Sequence, residues 1–255
     1  MASTGSVCDT DTKLWLHLDG ADAGVLFPDV SASPHDAPTN PSNGVVTSVT
    51  APKLGSAAAY CDGGAGHGLY WGDHADWDFG TGPFTVDFWF KFAELPGDFK
   101  FIHRNTGLMF GIGGHTTTGG LYIYVAGNTH DLGAVVTYDN TTWHHFACTR
   151  DASGDVRAFI DGVQVGSTFT DAGDCTSSDR LQMFLNQNNT SSIECRIDEF
   201  RWVKGTAVWV ANFTPPTVAY TLPTFIKKVA GVAYAAVKKI CSVAIASIEK
   251  CSGVD

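Results

Sequence analysis

Charge is scarce in this sequence: Asp, Glu, Lys and Arg make 16% of its 255 residues, against 44% apolar ones. That balance excludes a disordered chain and a charge-laced coiled coil. Helical periodicity is almost absent from residues 1–224, and no run of about 20 apolar residues offers a membrane span. The seven cysteines (8, 61, 148, 175, 195, 241 and 251) contain no CxxC pair, which argues against a zinc ribbon or a thioredoxin-type site. P-loop and G-x-S-x-G motifs are also missing. Met1–Lys13 is polar and acidic, without a charged start and apolar stretch, so no secretory signal is expected. With 16 basic and 26 acidic residues the net charge is −10, and no nucleic-acid partner is expected.

Glycine and aromatics are plentiful instead. Gly accounts for 28 residues, about one in nine, and aromatics for 12%. That composition favours short strands and tight turns. Residues 84–92, FTVDFWFKF, place Phe84, Val86, Phe88, Phe90 and Phe92 on one face and Thr85, Asp87, Trp89 and Lys91 on the other. LWLHLD (14–19), four short runs within 99–138, HHFACTRD (144–151), VRAFIDG (156–162), VQVGSTF (163–169), LQMFLNQ (181–187) and CRIDEFRWV (195–203) read the same way. Asp161-Gly162 is a favoured two-residue turn between alternating runs and predicts a hairpin. About a dozen short strands at 8–12-residue spacing predict an all-β, antiparallel two-sheet jelly-roll sandwich. In 197–202, alternation sends Ile197, Glu199 and Arg201 one way and Asp198, Phe200 and Trp202 the other, with Glu199 and Arg201 paired on a solvated face. Cys61 and Cys148 read as buried free thiols, and Cys175 and Cys195 are candidates to bridge across a hairpin.

Three prolines (215, 216 and 223) mark residues 215–224 as a stiff linker between a body, 1–214, and a tail, 225–255. The tail repeats with a period of 11: Lys228-Val229-Ala230-Gly231-Val232, then Lys239-Ile240-Cys241-Ser242-Val243, then Lys250-Cys251-Ser252-Gly253-Val254. Its apolar positions fit either a helical stripe or short strands with turns. Five lysines against Glu249 and Asp255 leave it at +3, on an acidic body. A repeat this short buries too little by itself, so Lys228, Val229, Val232, Lys239, Ile240, Val243 and Lys250 are expected to mediate anchoring or self-association.

Three stretches carry a family resemblance: Ala58-Ala59-Tyr60-Cys61-Asp62-Gly63, Phe84–Phe90, and Trp143-His144-His145-Phe146-Ala147 followed by Asp161-Gly162 and Ile197-Asp198-Glu199-Phe200-Arg201. In that order and spacing the chain, over about residues 12–220, resembles the concanavalin A-like lectin/glucanase superfamily, in particular its laminin-G-like jelly roll. Cys61 departs from the pattern, which more often has Phe there. Val203–Trp209 with Asn212–Pro216 resembles the ending of such domains in tailed-phage structural proteins, and the tail is similar to lysine/glycine/valine repeats of phage proteins. The resemblance implies a virion-surface protein made in a host cytoplasm: a head decoration, head fibre or tail appendage. Its partners would be further copies of itself, capsid or tail proteins, and a host-surface glycan. Glycan hydrolysis and a non-viral adhesin are the alternatives.

The superfamily's glucanases share a Glu-x-Asp-x-x-Glu or Glu-x-Asp-x-x-x-Glu strand, absent here. Retaining hydrolysis needs two carboxyl groups about 5–5.5 Å apart. The nearest approach, Glu194 and Asp198 with Glu199, puts the first two roughly 13 Å apart along a strand, so no enzyme is expected. The resemblance also implies calcium, with Asp19, Asp29 and Asp198 as ligands. Sugar rings stack on aromatic faces and need polar partners for their hydroxyls; Trp71, Asp73, His74 and Trp77, with Asn186 and Asn188, are the candidates. His67, His74 and His115 fall in glycine-rich stretches, and His144 and His145 alternate faces, so no transition-metal centre is expected.

Overall fold

The computed structural model describes residues 10–93, 99–104, 109–115, 120–134, 141–185, 193–221, 228–229 and 232–233. The chain divides into two compact units, Met1–Leu222 and Pro223–Asp255.

The first unit is the expected antiparallel sandwich. Its larger sheet runs β12 (Val163–Thr170), β11 (Asp155–Ile160), β10 (His144–Arg150), β5 (Phe84–Phe92), β14 (Glu194–Lys204), β3 (Ala58–Asp62), β2 (Val45–Ser48), with β1 (Thr12–Leu16) also paired to β14. The smaller runs β4 (Leu69–Trp71), β13 (Leu181–Met183), β6 (Phe99–Arg104), β7 (Phe110–His115), β8 (Gly120–Val125), β9 (Asn128–Ala134). Strand β5 sets the core as its alternation requires. Phe84, Val86, Phe88, Phe90 and Phe92 point between the sheets into one cluster with Phe101, Phe110, Phe146, Phe200 and Trp202. Phe79 stacks on both Phe84 and Trp202, at 4.3 and 4.2 Å.

The predicted hairpin joins β11 to β12, with Ile160 opposite Val163. Asp161 and Gly162 both take positive φ, 51° and 79°, as the favoured two-residue turn demands. Phe213 N–H donates to the Gly162 carbonyl at 2.9 Å, and a Cβ on residue 162 would run into the Phe213 carbonyl. Gly162→Ala is therefore expected to cost about 2 kcal/mol or more, read as a lower denaturation midpoint with unchanged slope.

Two expectations are corrected on the outer face of the larger sheet. Thr85, Asp87 and Trp89 are buried: residues 205–221 run across Thr85 and Asp87, and Lys53 lies over the Trp89 ring. Thr85 Oγ1 donates to the Thr206 carbonyl at 2.9 Å, Thr149 Oγ1 to that of Trp209 at 2.8 Å, and Trp209 packs on Ala147 and Phe159. The linker expected at 215–224 thus belongs to the body as far as Tyr220, which is 1% exposed. Alternation also fails in β14. The β5 register shifts between Asp198 and Arg201, and Glu199 has φ +49°. The bulge leaves Ile197, Phe200 and Trp202 in the core. Arg201 is buried with Asp87, Nε to Oδ1 2.8 Å, and does not pair with Glu199 on a solvated face.

Cys61, Cys148, Cys175 and Cys195 are buried, and none of them forms a disulfide. Cys195 stands opposite Cys61 across β14 and β3 and is not bridged to Cys175. In the second unit, β15 (Lys228–Val229) pairs antiparallel with β16 (Val232–Ala233), so the first repeat takes the strand alternative. Lys239, Ile240, Val243 and Lys250 lie outside the described residues. Among the described residues no helix is long and apolar enough to cross a membrane.

Candidate functional site

The stretch Gly72-Asp73-His74-Ala75-Asp76-Trp77 leaves β4 at the edge of the smaller sheet and closes into a single 3-10 turn over Ala75–Trp77. His74 caps it: its Nδ1 accepts the Asp76 N–H at 3.1 Å. The Trp77 indole N–H donates to the Gly72 carbonyl at 2.9 Å, which tightens the loop. Residues 35–39 lie alongside, held by paired backbone bonds between Thr39 and Tyr70 of 2.9 and 3.0 Å. A buried arginine pins the arrangement to the sheet. Arg104 of β6 reaches Asp73 at 2.9 Å, Asp78 at 3.1 Å and the Ser177 carbonyl.

These segments enclose an open cleft of about 200 Å³, below the roughly 300–1,000 Å³ of drug-sized sites. Its lining includes His35, Asp36, Tyr70, Trp71, Asp73 and His74. The structure thus brings four sequence-predicted glycan residues (Trp71, Asp73, His74 and Trp77) to one cleft. Their roles differ from the expectation. Trp71 and Trp77 are 4% and 1% exposed and belong to the core cluster, so neither offers an open stacking face. The reach of the turn back onto the sheet edge buries both rings. The side chain of His74, 52% exposed, is the open aromatic of the set. Two buried polar atoms of lining residues have no hydrogen-bond partner, Trp71 Nε1 and His35 Nε2. Such orphans are uncommon in folded proteins. Asn186 and Asn188 lie outside the described residues.

Among the described residues, the expected calcium ligands Asp19, Asp29 and Asp198 do not form one close group of ligating atoms. Asp29 is filled by the N–H groups of Trp15, Ser31 and His35 and by the Ser31 hydroxyl. Asp19 Oδ1 takes Ser56 and Ala57 N–H, and Asp198 Oδ2 takes Lys53 and Leu54 N–H, both at 2.9 Å. One loop, 53–57, therefore serves both carboxylates with amide donors. Asp198 Oδ1 is buried without a partner. Burial pushes the Asp198 carboxyl up to about 7 against the pull of the Leu54 and Lys53 amides, with the Glu199 and Asp19 charges adding to the rise. Among the described residues, the close group of three or more metal-ligating side chains is instead His35, His74 and Asp76.

Sequence reasoning passed over His35, Asp36 and Tyr70, because only the long-range Thr39–Tyr70 pairing brings them to the loop. Arg104 had a signal: a lone arginine inside the apolar run FKFIHR must find acidic partners.

A family model described as the concanavalin A-like lectin/glucanases superfamily matches residues 62–207, more than half of the chain. The chain belongs to that superfamily. Among curated proteins none matches it in sequence. Three solved structures share the fold. The binding domain of paraclostridial mosquitocidal protein 1 superposes with a TM-score of 0.59 at 13% identity, over 77% of this chain and 50% of that one. The ligand-binding domain of botulinum neurotoxin serotype D, in complex with N-acetylneuraminic acid, gives 0.57 at 11%, over 78% and 48%. Trypanosoma rangeli sialidase in complex with sialic acid gives 0.56 at 14%, over 79% and 32%. The superfamily member described here spans about half the length of the two toxin domains and a third of the sialidase. At these identities the likeness is one of fold.

Proposed function

We propose that this chain is a non-catalytic glycan-binding module, displayed on a virus particle and anchored or oligomerised through its 11-residue repeat. The observation that carries the glycan reading is the cleft at the Trp71–Trp77 loop. It combines an open imidazole, carboxylates at Asp36 and Asp73, and the buried Trp71 indole N–H, which has no hydrogen-bond partner. Sugar hydroxyls both donate and accept, so one ring can satisfy such a mixed set. Fold relatives that bind sialic acids support the class of ligand. The described lining holds two aspartates and no lysine or arginine, which favours a neutral sugar over an acidic one.

Support for the absence of hydrolysis comes from the committed carboxylates. Glu194 accepts the Tyr60 hydroxyl at 2.5 Å, Glu199 accepts the Tyr220 N–H and pairs with His17, and Asp198 holds two amides. Display on a particle is supported by the lysine-spaced repeat, whose first unit pairs Lys228–Val229 antiparallel with Val232–Ala233.

A glycan array carrying neutral and sialylated sugars, probed with the full chain, tests the binding. Neutral glycans are expected to bind, and Tyr70→Ala and Asp36→Ala to weaken binding about tenfold each, near 1.4 kcal/mol. Binding that both variants leave unchanged, or no binding to any glycan, would overturn the cleft assignment. Antibodies to the body should label the surface of intact particles; label confined to disrupted particles would remove the display reading.

A further inference from the structure

We propose that His35, His74 and Asp76 form a zinc site at the rim of the cleft. His35 Nε2 lies 3.2 Å from Asp76 Oδ2, and His74 Nδ1 lies 3.4 Å from the same oxygen. All three ligand atoms fall within 4.8 Å of one another. An ion bonded at about 2.0–2.2 Å, with angles from square to tetrahedral, holds its ligand atoms roughly 2.9–3.5 Å apart. Both contacts to Asp76 meet that requirement. Two imidazoles and one carboxylate are a borderline donor set that suits Zn²⁺ and its transition-metal neighbours and not calcium.

A simple ion pair is the competing explanation, and His35 argues against it. Its Nε2 is buried and forms no hydrogen bond despite its nearness to Asp76. The ring is also placed in advance. The His35 N–H is anchored on Asp29 Oδ2 at 2.8 Å, and the imidazole packs on Trp77 and His74 with centroids 4.3 and 4.6 Å away. Loading the ion draws the two imidazoles, which lie within 4.8 Å of each other, to ligand spacing, and His74 Nδ1 gives up the Asp76 N–H, which stands in an exposed turn where water replaces the bond. Three protein ligands leave at least one coordination position open. Because His35 and His74 also line the cleft, that position belongs to its rim. The site does not depend on the glycan reading, since ion binding is measured by itself.

The experiment is calorimetric titration of the full chain with Zn²⁺, repeated with Co²⁺ to record the visible absorption of a bound ion. One ion per chain is expected at these residues. His35→Gln, His74→Gln and Asp76→Asn should each weaken binding about tenfold or more and dim the cobalt spectrum. His67→Gln, a histidine paired with Asp62 elsewhere, should leave both unchanged. Thermal melts of each variant establish that it is folded. Should all three ligand variants keep the parent affinity, or the parent bind no Zn²⁺ below about 100 μM, the site is an ion-pair cluster only and the proposal fails.

Discussion

Asp87→Ala is expected to destabilise the body by about 3–5 kcal/mol, the range for breaking a buried ion pair from one side. Asp87 is fully buried on the outer face of the larger sheet. Its Oδ1 receives Arg201 Nε at 2.8 Å, its Oδ2 accepts the Tyr220 hydroxyl, and His145 Nε2 lies 3.5 Å away. Arg201 in turn sits 4.4 Å from the Tyr220 ring. Removing the carboxylate leaves a guanidinium in a site water does not reach. Burial alone would raise the Asp87 carboxyl; the Arg201 and His145 charges hold it below the usual range. Its contribution is therefore present above the ordinary carboxylate pKa and lost as pH falls through the lower folded value. Asp87→Leu combined with Arg201→Met should recover much of the loss, because an apolar pair of similar volume avoids the desolvation cost. Urea denaturation of the two single variants and the double variant closes the cycle. Should Asp87→Ala cost less than about 1 kcal/mol, residues 205–221 do not seal that face.

Asp87 also shows where reading the sequence succeeds and where it stops. Strict alternation in β5 was enough to place five apolar side chains between the sheets, and Asp161-Gly162 to place a hairpin. The second face of the same strand was not legible. Its cover is irregular backbone, 205–221, whose hydrogen bonds to Thr85 and Thr149 follow no period. A charge stranded in an apolar run is the one local hint, and Asp87, Arg104 and Arg201 each carry it. In β14 the alternation itself misleads, because the bulge at Glu199 turns one extra residue outward. At the cleft, the cluster Trp71, Asp73, His74, Trp77 is local in sequence and so was visible. Its facing wall, His35 to Thr39, is joined to it by a bridge between residues 31 positions apart. The burial of both tryptophans depends on how the turn folds back, which composition does not encode.

Between pH 4 and 7 two buried groups, Asp198 and His103, push the stability of the body in opposite directions. Asp198 ionises near 7 when folded and near 3.9 when unfolded. The folded state then binds more protons across that window, and stability falls as pH rises, by about 4 kcal/mol over three units. His103 does the reverse. Burial, with the Lys100 charge nearby, pushes its imidazole down to about 4, and its Nε2 faces the Leu185 carbonyl at 2.9 Å. The unfolded chain protonates that histidine below about 6.5, so stability rises with pH from 4 to 6.5, by about 3 kcal/mol. Removing either group uncovers the other. Asp198→Asn should give a stability that climbs with pH, and His103→Gln one that declines, each measured by urea denaturation at a series of pH values. Parallel profiles for parent and both variants would mean that neither group is held as its surroundings require. Calcium provides the second arm. Asp198 Oδ1 is the one oxygen of the Asp19, Asp29 and Asp198 set that is buried without a partner. An ion there would keep the carboxylate charged and lift stability above pH 7 in the parent but not in Asp198→Asn. With the amides of Lys53 and Leu54 already on the other oxygen, the expected result is no calcium effect.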